Sequence, residues 1–382
     1  MSEWLAYTLG EVTTSFDSVR VPVKSTERIP GPYPYYGASG VVDHVSDYLF
    51  DGEYLLISED GENLRTRKTP VAFMATGKFW VNNHAHVARG NYLANTQFLC
   101  YLLAVTDISG YISGSTQPKL TQASLNSVKL KLPSTRQQDA IVEVLGALDG
   151  KIAVNERIAT TALNLAEALY VQAADSSVWQ SVKLGDAARW MSGGTPKTSE
   201  PSYWGGTVPW ISALSLKSPW IDRSDRNVTE LGAASGTRLV PADTVLFVVR
   251  GSSLKEEFRI GITQREVAFG QDCKALIARS GIDSHALFHG IRSQTTSILE
   301  MVDETSIGAG RLSTDLISAL EIRVPNDPSD STVAQVRNLD CLAATKRQES
   351  QTLAALRDTL LPQLMSGRLR VKDAEKIVED HT

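Results

Sequence analysis

Two histidines at alternate positions, His84 and His86, stand in the run Asn83-His84-Ala85-His86 and would share one face of a strand. Such a pair could bind a metal ion, but the surrounding sequence indicates no third ligand. We therefore expect no metal site. The favoured interpretations are structural pairing of the histidines with polar groups, or contact of Asn83 and His84 with the edge of a nucleic acid.

Short clusters of basic and hydroxyl residues could contact phosphates, and an arginine among them could read guanine in the major groove. For Arg65, Arg67 and Lys68, a solvated loop is the alternative. The flexible Gly193-Gly194 precedes one of the clusters, which suits a phosphate clamp. The candidates are Arg65, Arg67 and Lys68 in GENLRTRKTP, Thr195, Lys197 and Thr198 in GGTPKT, Arg223 and Arg226 in IDRSDR, and Arg250, Ser252 and Lys255 in RGSSLK.

Signatures of catalysis are missing from the chain. It has no NPPF/Y or DPPY-type tetrapeptide for adenine methylation, no Walker A loop and no spaced Cys/His set for zinc. The stretch PADTVLFVVR weakly resembles a nuclease strand through Asp243, yet no ExK follows. A turn-ending role for Asp243 is the simpler interpretation.

Overall composition sets further limits. The three cysteines are far apart with no CxxC, which predicts a reduced, cytoplasmic protein. The sequence has no run of eighteen apolar residues, and its N-terminus lacks a basic region followed by an apolar one, so we expect no membrane span and no signal peptide. A net charge of −5 argues against binding of nucleic acid through bulk positive charge alone.

The candidate residues must be positioned by larger elements, and the most prominent is a long helix predicted over Ser134–Ala174. It is rich in Ala, Leu, Glu and Gln and would span roughly 60 Å. Its apolar residues recur in steps of three and four. The predicted buried seam is Ile141, Leu145, Leu148, Ile152, Asn155, Ala159, Ala162, Ala166 and Leu169. Asn155 on this seam could fix the register of a helix pair, contact a partner protein, or be exposed.

An internal repeat organises the rest of the chain. Leu9-Gly10-Glu11 matches Leu184-Gly185-Asp186 at an offset of 175, and Leu132-Pro133 matches Val324-Pro325 at an offset of 192. A helical pattern follows each proline. The second pattern places Leu339, Leu342, Lys346, Glu349, Leu353, Leu356 and Leu360 on one stripe, with Gly367 as the C′ residue.

Short strands separated by turn residues are predicted inside each repeat, at Tyr54–Ser58, Ala72–Met74, Val128–Leu132, Val245–Arg250 and Ala319–Val324, with helices at Tyr92–Ala104 and Asp283–Gln294. The pattern indicates an α+β fold with two similar modules and two long antiparallel helices, related by an approximate two-fold axis. Two related readers at a fixed separation suit a two-part target on a duplex, with different half-sites because the modules differ.

Several stretches carry a family resemblance. Residues 31–43, GPYPYYGASGVVD, with YLFDGEYLLISEDGENL and VNNHAHV after them, resemble the first target-recognition domain of type I restriction-modification specificity subunits. SGGTPKTSEPSYWGGTVPWIS is similar to the opening of another variety of that domain. LPSTRQQDAIVEVLGALDGKI and LPQLMSGRLRV resemble the helical regions of the family. The second helical region departs from it by opening with NDPSDSTVAQVRNLD, where LPS followed by QQ is expected.

The resemblance implies a non-catalytic subunit that recognises a bipartite asymmetric site on double-stranded DNA and joins two methyltransferase subunits, with two restriction subunits as further partners. S-adenosylmethionine, ATP and Mg²⁺ would belong to those partners. It also implies that Thr195, Lys197 and Thr198 hold the fold or contact the backbone of DNA. The implied segments are a target-recognition domain at 1–133, a spacer helix at 134–176, a second domain at 177–325, a second helix at 326–370 and a tail at 371–382.

Two other functions fit the same residues. The chain could be the specificity or scaffold module of another defence complex with a different effector, or a scaffold that does not contact DNA. A scaffold of the second kind predicts no sequence-specific footprint even when its partners are present.

Overall fold

The computed structural model describes residues 4–304, 309–327 and 329–380, so the last two residues of the predicted tail lie outside the described residues. The chain divides into two compact units. Unit 1 holds the described residues up to Ile152 and from Gln351 onward, and unit 2 is Ala153–Ser350. The assignment of 1–133 and 177–325 as target-recognition domains stays a prediction.

The described residues form helices of very different lengths. Two of them are long and correspond to the two predicted helical regions. In chain order the helices are α1 (Leu9–Val12), α2 (Asn63–Thr66), α3 (Thr96–Val105), α4 (Gln122–Asn126), α5 (Thr135–Ala174), α6 (Leu184–Ala187), α7 (Glu230–Ala234), α8 (Ser284–Arg292), α9 (Thr295–Glu300), α10 (Thr314–Ser318), α11 (Ser331–Met365) and α12 (Val371–Glu379).

The strands are short and fall between the turn residues as predicted. Those of unit 1 are β1 (Leu5–Thr8), β2 (Thr13–Ser15), β3 (Pro30–Gly37), β4 (Gly40–Val45), β5 (Phe50–Ser58), β6 (Ala72–Val81), β7 (Ala85–Gly90) and β8 (Lys129–Leu132). Those of unit 2 are β9 (Trp179–Lys183), β10 (Ala188–Ser192), β11 (Trp204–Ile211), β12 (Trp220–Ile221), β13 (Asn227–Val228), β14 (Arg238–Val240), β15 (Val245–Val248), β16 (Arg250–Gly251), β17 (Ile260–Thr263), β18 (Val267–Phe269), β19 (Cys273–Ala278), β20 (Val302–Glu304), β21 (Gly310–Leu312) and β22 (Glu321–Pro325).

The repeat predicted from sequence is present in the strand pairing. β1 pairs antiparallel with β8 through Leu5 and Leu132, and β9 pairs with β22 through Gln180 and Val324. These partners differ by the same 175 and 192 positions that align the two halves of the sequence. Each unit therefore closes its repeat with the same strand pair in the same register.

The central sheets repeat as well. Unit 1 has a six-stranded sheet in the order β2-β7-β5-β6-β3-β4, and unit 2 has sheets in the orders β10-β19-β15-β17-β12 and β13-β11-β18-β14. Tyr35 of β3 pairs in parallel with Trp80, and Trp210 of β11 pairs in parallel with Ala268. Position 35 in unit 1 thus corresponds to position 210 in unit 2.

The expected α+β class is confirmed.

In unit 1 the first part of α5 packs against the last part of α11. Leu145 and Leu148 lie in one core with Leu353 and Leu360. Gly367 follows the end of α11 with φ +70°, and this left-handed conformation favours glycine, as predicted for the C′ position.

In unit 2 the second part of α5 packs against the first part of α11, so the two helices run antiparallel in each unit. Ala162 and Ala343 share one core, and Ala166 shares another with Val333 and Val336. Asn155 is fully buried, and neither atom of its amide has a hydrogen-bond partner among the described residues.

The predicted stripe on α11 is wrong at Leu342 and correct at Leu339 and Leu356, which are half-buried against the core. Leu353 and Leu360 are buried, but Leu342 is 41% exposed. Asp340 and Ser350 are buried instead. The reason is that Asp340 accepts hydrogen bonds from two buried histidines of α8, so a charged residue occupies the core face of the helix.

Among the described residues, no helix is long and apolar enough to cross a membrane.

Candidate nucleic-acid interface

The predicted basic cluster of unit 1 is used for internal contacts. Arg65 of α2 donates from Nη2 to the Gly114 carbonyl at 2.5 Å and from Nη1 to the Ser115 carbonyl at 3.1 Å. Arg67 follows α2 in the left-handed region and donates from Nη2 to the Thr106 carbonyl at 2.6 Å. These guanidinium groups hold neighbouring loops, which leaves fewer donors for an external ligand.

Both arginines nevertheless remain partly accessible, since they line an open cleft of about 410 Å³ together with Leu64, Val105, Asp107, Ser109 and Ile112. Lys68, one residue further, is exposed. The cluster therefore presents positive charge beside the end of α3, with its arginine side chains held in place by the loops.

The two histidines of the Asn83-His84-Ala85-His86 run do not share a site. Asn83 and His84 lie on the exposed turn between β6 and β7, and His84 Nδ1 is 2.8 Å from an oxygen of Asp60. His86 is buried in β7, with Nδ1 2.6 Å from Asp17 and Nε2 2.7 Å from the Leu120 carbonyl. Both histidines therefore have the structural polar partners that were favoured over metal binding.

The Asp17 carboxylate and the Leu120 carbonyl hold the His86 ring between them. Burial raises the pKa of the Asp17 carboxyl, but the hydrogen bond from His86, the bond from the Val87 amide and the nearby charges outweigh it and lower that pKa below its usual value. Within the described part of the chain, no group of three or more His, Cys, Asp or Glu residues is placed to bind a metal ion.

The glycine-rich run of unit 2 has a structural use. A Cβ on Gly194 would lie 2.1 Å from the Gly236 carbonyl oxygen, and one on Gly193 would lie 2.3 Å from that of Gly270. No larger residue fits there without a shift of the backbone. Thr195, Lys197 and Thr198 follow on the surface or near it.

Two tryptophans tie this run to β11. Trp210 donates from Nε1 to the Gly194 carbonyl at 3.1 Å, and Trp204 donates to the Lys197 carbonyl at 3.3 Å. The backbone of the run is therefore fixed, while the Lys197 side chain is exposed. This arrangement agrees with a role in holding the fold and leaves the lysine available to a phosphate.

The two arginines of IDRSDR have different surroundings. Arg223 donates to its neighbour Asp222 at 3.0 Å. The Arg226 guanidinium lies 3.7 Å from the centre of the Trp204 ring and 5.2 Å from that of Trp210. The two tryptophan rings meet edge to face at 5.4 Å.

Arg250, Ser252 and Lys255 lie together on β16 and the 3₁₀ turn that follows it, and all three are exposed. Arg250 stands directly opposite Arg311 of β21. Arg311 also stands opposite Asp303 of β20, so a carboxylate residue lies on its other side. The candidates from the sequence do not include Arg311, although the repeat aligns it with Lys119.

Asp243, the residue of the weak nuclease resemblance, lies on a turn before β15 with φ +62°. Its carboxylate is 3.2 Å from Arg337 Nη1. Asp243 therefore ends a turn and pairs with a cation, as the simpler interpretation predicted.

The chain matches the family described as type I restriction modification DNA specificity domain over residues 1–163 and 176–356. It is 38% identical over 144 residues to a type I restriction enzyme specificity subunit of Haemophilus influenzae, covering 37% of the chain and 36% of that relative. The identity to the EcoR124I/EcoR124II specificity subunit of Escherichia coli is 28% over 155 residues, or 40% and 38% of the two chains. These alignments span little more than a third of either relative.

A solved structure extends the similarity to nearly the whole fold. The S subunit of a type I restriction-modification system from M. genitalium superposes with a TM-score of 0.62, covering 95% of this chain and 96% of that one. Sequence identity is 16%, so this likeness concerns the fold alone.

Proposed function

Because the chain belongs to the family of type I restriction modification DNA specificity domains, we propose that it is the sequence-reading subunit of a type I restriction-modification complex. In this role it recognises a bipartite, asymmetric site on double-stranded DNA and docks two methyltransferase subunits. Restriction subunits join the same assembly when cleavage is required. The chain itself carries out no chemistry.

The observation that supports a two-part site most strongly is the repeated unit. Both units close with the same strand pair, at offsets of 175 and 192, and both include a segment of each long helix. Yet the two units differ in sequence. Two readers of one fold with different sequences suit two different half-sites.

The long helices would set the gap between the half-sites and carry the methyltransferase subunits. In unit 1 their pairing is reinforced by polar contacts. Asp149 of α5 accepts hydrogen bonds from Tyr101 and from Arg357 of α11, the second at 2.7 Å. A stiff helix pair is suited to a fixed spacing, because bending it would break such contacts.

Cofactors are assigned to the partners in this proposal. S-adenosylmethionine would bind the methyltransferase subunits, and ATP and Mg²⁺ the restriction subunits. The subunit described here would supply only selection of the site and the docking surfaces.

The experiment that tests the proposal is co-expression of the chain with a methyltransferase subunit from the same genome, followed by single-molecule mapping of methylated adenines in the host genome. A bipartite asymmetric motif with a fixed gap is expected. A stable complex that leaves no motif would contradict the proposal and favour a scaffold or a different effector.

Affinity provides a second test. Neutralisation of phosphates supplies most non-specific affinity for DNA, and the net charge of this chain is −5. The isolated chain should therefore bind its mapped site weakly, and the complex with two methyltransferases should bind it tightly. Equal affinities in a fluorescence anisotropy titration would contradict the division of labour proposed here.

A further inference from the structure

The charged residues around one aromatic ring differ between the two units. In unit 1 the Arg28 guanidinium lies 4.3 Å from the centre of the Tyr35 ring. The residue opposite Tyr35 on β4 is Asp43, and Arg28 pairs with it at 3.0 Å. The cation on this ring is therefore neutralised by a carboxylate of the neighbouring strand.

In unit 2 the corresponding ring is Trp210 of β11. The antiparallel register that pairs Pro209 with Asn227 places Arg226 opposite Trp210, and the Trp210 amide donates to the Arg226 carbonyl at 2.9 Å. Arg226 thus occupies the position that Asp43 occupies in unit 1. An arginine replaces the acid at this place.

Arg226 lies over aromatic rings, as Arg28 does in unit 1, but no carboxylate neutralises its charge. Its guanidinium is 3.7 Å from the Trp204 ring centre, and the described residues include no carboxylate within ion-pair distance of it and no acceptor for its N–H groups. The adjacent carboxylate of Asp222 is engaged by Arg223. A guanidinium group has five N–H donors, so this one is both exposed and unsatisfied by the chain.

Stacking on the indole fixes the orientation of these donors. A cation over a tryptophan ring is held by the ring quadrupole, and a side chain ordered before binding loses less entropy when a ligand arrives. Arg65 and Arg67 of unit 1 present the opposite case, since carbonyl oxygens already accept from their guanidinium groups. Stacking orients the Arg226 side chain, and its N–H donors remain without an acceptor among the described residues.

We propose that Arg226, held on Trp204 and Trp210, is a DNA-contacting residue of unit 2 that binds a bidentate acceptor in its half-site. This inference rests on the proposed function. Guanine O6/N7 and the oxygens of a phosphate both present two acceptors to an arginine fork. The first source would make Arg226 a specificity-determining residue, and the second would make it a backbone anchor.

The test uses the full chain in complex with its methyltransferase and the variants Arg226→Lys and Arg226→Gln. Arg226→Lys keeps the charge but loses the fork, and Arg226→Gln loses both. Arg265→Gln is the matched control, because Arg265 is an exposed arginine of the same unit on the turn between β17 and β18. Each complex is mapped for methylated adenines and titrated with the mapped duplex at several salt concentrations. Thermal unfolding of each variant verifies that unit 2 is folded.

If guanine is the acceptor, both variants relax the preference at one position of one half-site, with roughly a 5- to 100-fold loss of discrimination there. If phosphate is the acceptor, the motif is unchanged, Arg226→Gln weakens binding to all duplexes and lowers the salt slope by about 1, and Arg226→Lys retains most of the affinity. Either result supports the inference. The Arg265→Gln complex should match the parent.

Two other outcomes are distinguishable. A parent complex with a clear motif, and Arg226 variants that keep its motif, affinity and salt slope, would overturn the role of Arg226 and leave the proposed function intact. A parent complex that neither methylates a motif nor binds any duplex would overturn the proposed function, and this inference with it.

Discussion

Replacement of Asp340 in α11 should destabilise unit 2 more than any exposed acidic substitution. The Asp340 side chain is fully buried and accepts hydrogen bonds from His285 Nδ1 at 2.7 Å and His289 Nε2 at 3.0 Å. His289 Nδ1 has no hydrogen-bond partner among the described residues, so Nε2 is the nitrogen through which that ring binds Asp340. One carboxylate therefore joins α8 to α11 through two buried imidazoles.

The loss in the free energy of unfolding depends on which buried donors the substitution leaves without an acceptor. Asp340→Ala leaves both imidazole donors buried without an acceptor, which should cost roughly 3–5 kcal/mol in the free energy of unfolding. Asp340→Asn keeps one acceptor and should cost about 1–3 kcal/mol. Asp358→Ala is the control on the same helix, because Asp358 is 65% exposed in its pair with Arg357 and should change stability by less than about 1 kcal/mol.

The assay is differential scanning calorimetry of the full chain, with hydrogen exchange to assign the affected unit. For a unit of this size, the Asp340→Ala cost corresponds to a decrease in Tm of roughly 6–20 °C. Exchange should accelerate in α8 and not in the strands of unit 1. A Tm within 2 °C of the parent, or loss of protection confined to unit 1, would show that Asp340 does not stabilise the contact of α8 with α11.

The same carboxylate predicts a pH dependence. Burial raises the pKa of Asp340, but the hydrogen bonds and charges of His285 and His289 outweigh it, so the pKa lies below the usual value of 3.8. A group with a lowered pKa stabilises the fold above its unfolded pKa, and this stabilisation is lost as the pH falls through the folded value. The ionisation-dependent part of the difference in stability between parent and Asp340→Asn should therefore begin to decrease as the pH falls below about 4, and should vanish once the pH is below the folded pKa.

Other substitutions test particular contacts. Gly194→Ala should lower the stability of unit 2 by roughly 1–3 kcal/mol because its Cβ would meet a carbonyl oxygen at 2.1 Å. Gly146→Ala in α5, where a Cβ meets no atom within 4 Å, should raise stability by about 0.5–1 kcal/mol, and chemical denaturation distinguishes the two signs. Tyr101→Phe removes a hydrogen-bond donor to Asp149 and should destabilise unit 1 by about 0.5–1.5 kcal/mol. An unchanged stability would show that this hydrogen bond does not stabilise unit 1. Deleting one helical turn beside Ala153 should change the gap in the methylated motif, and an unchanged gap would refute the view that the helices set it.

The long helix and the internal repeat could be predicted because their signals lie in the sequence itself. The periodicity of Ser134–Ala174 predicted a helix that the structure places at Thr135–Ala174. The offsets of 175 and 192 reappear in the registers of β1 with β8 and β9 with β22. Hydrophobic spacing and self-similarity are properties of the chain itself, so they need no knowledge of tertiary contacts.

Prediction from the sequence failed where a distant partner decides the environment of a residue. The stripe on α11 was misplaced at Leu342 because Asp340 is buried by histidines 51 and 55 positions away. Arg65 was predicted to contact DNA, and its role there stays a prediction, but its guanidinium binds carbonyls 49 and 50 positions away. Nothing within a short window of sequence reveals such partners.

Arg226 shows what the structure adds. The motif IDRSDR identified two candidate arginines without separating them. The register of β11 with β13 and the position of Trp204 distinguish a stacked, unsatisfied guanidinium from the self-paired Arg223. The strand registers also place Arg226 where Asp43 lies in unit 1, so the charge at this position is negative in one unit and positive in the other.

Exchange of one reader would show whether each unit reads its own half of a two-part DNA site. Residues 9–133 would be replaced by the equivalent segment of a relative with a known motif, and methylated adenines would be mapped for the hybrid complex. We predict that one half-site changes to that of the relative while the other half-site and the gap stay the same. A motif that is unchanged, or one in which both half-sites change together, would mean that the two units do not read separate half-sites.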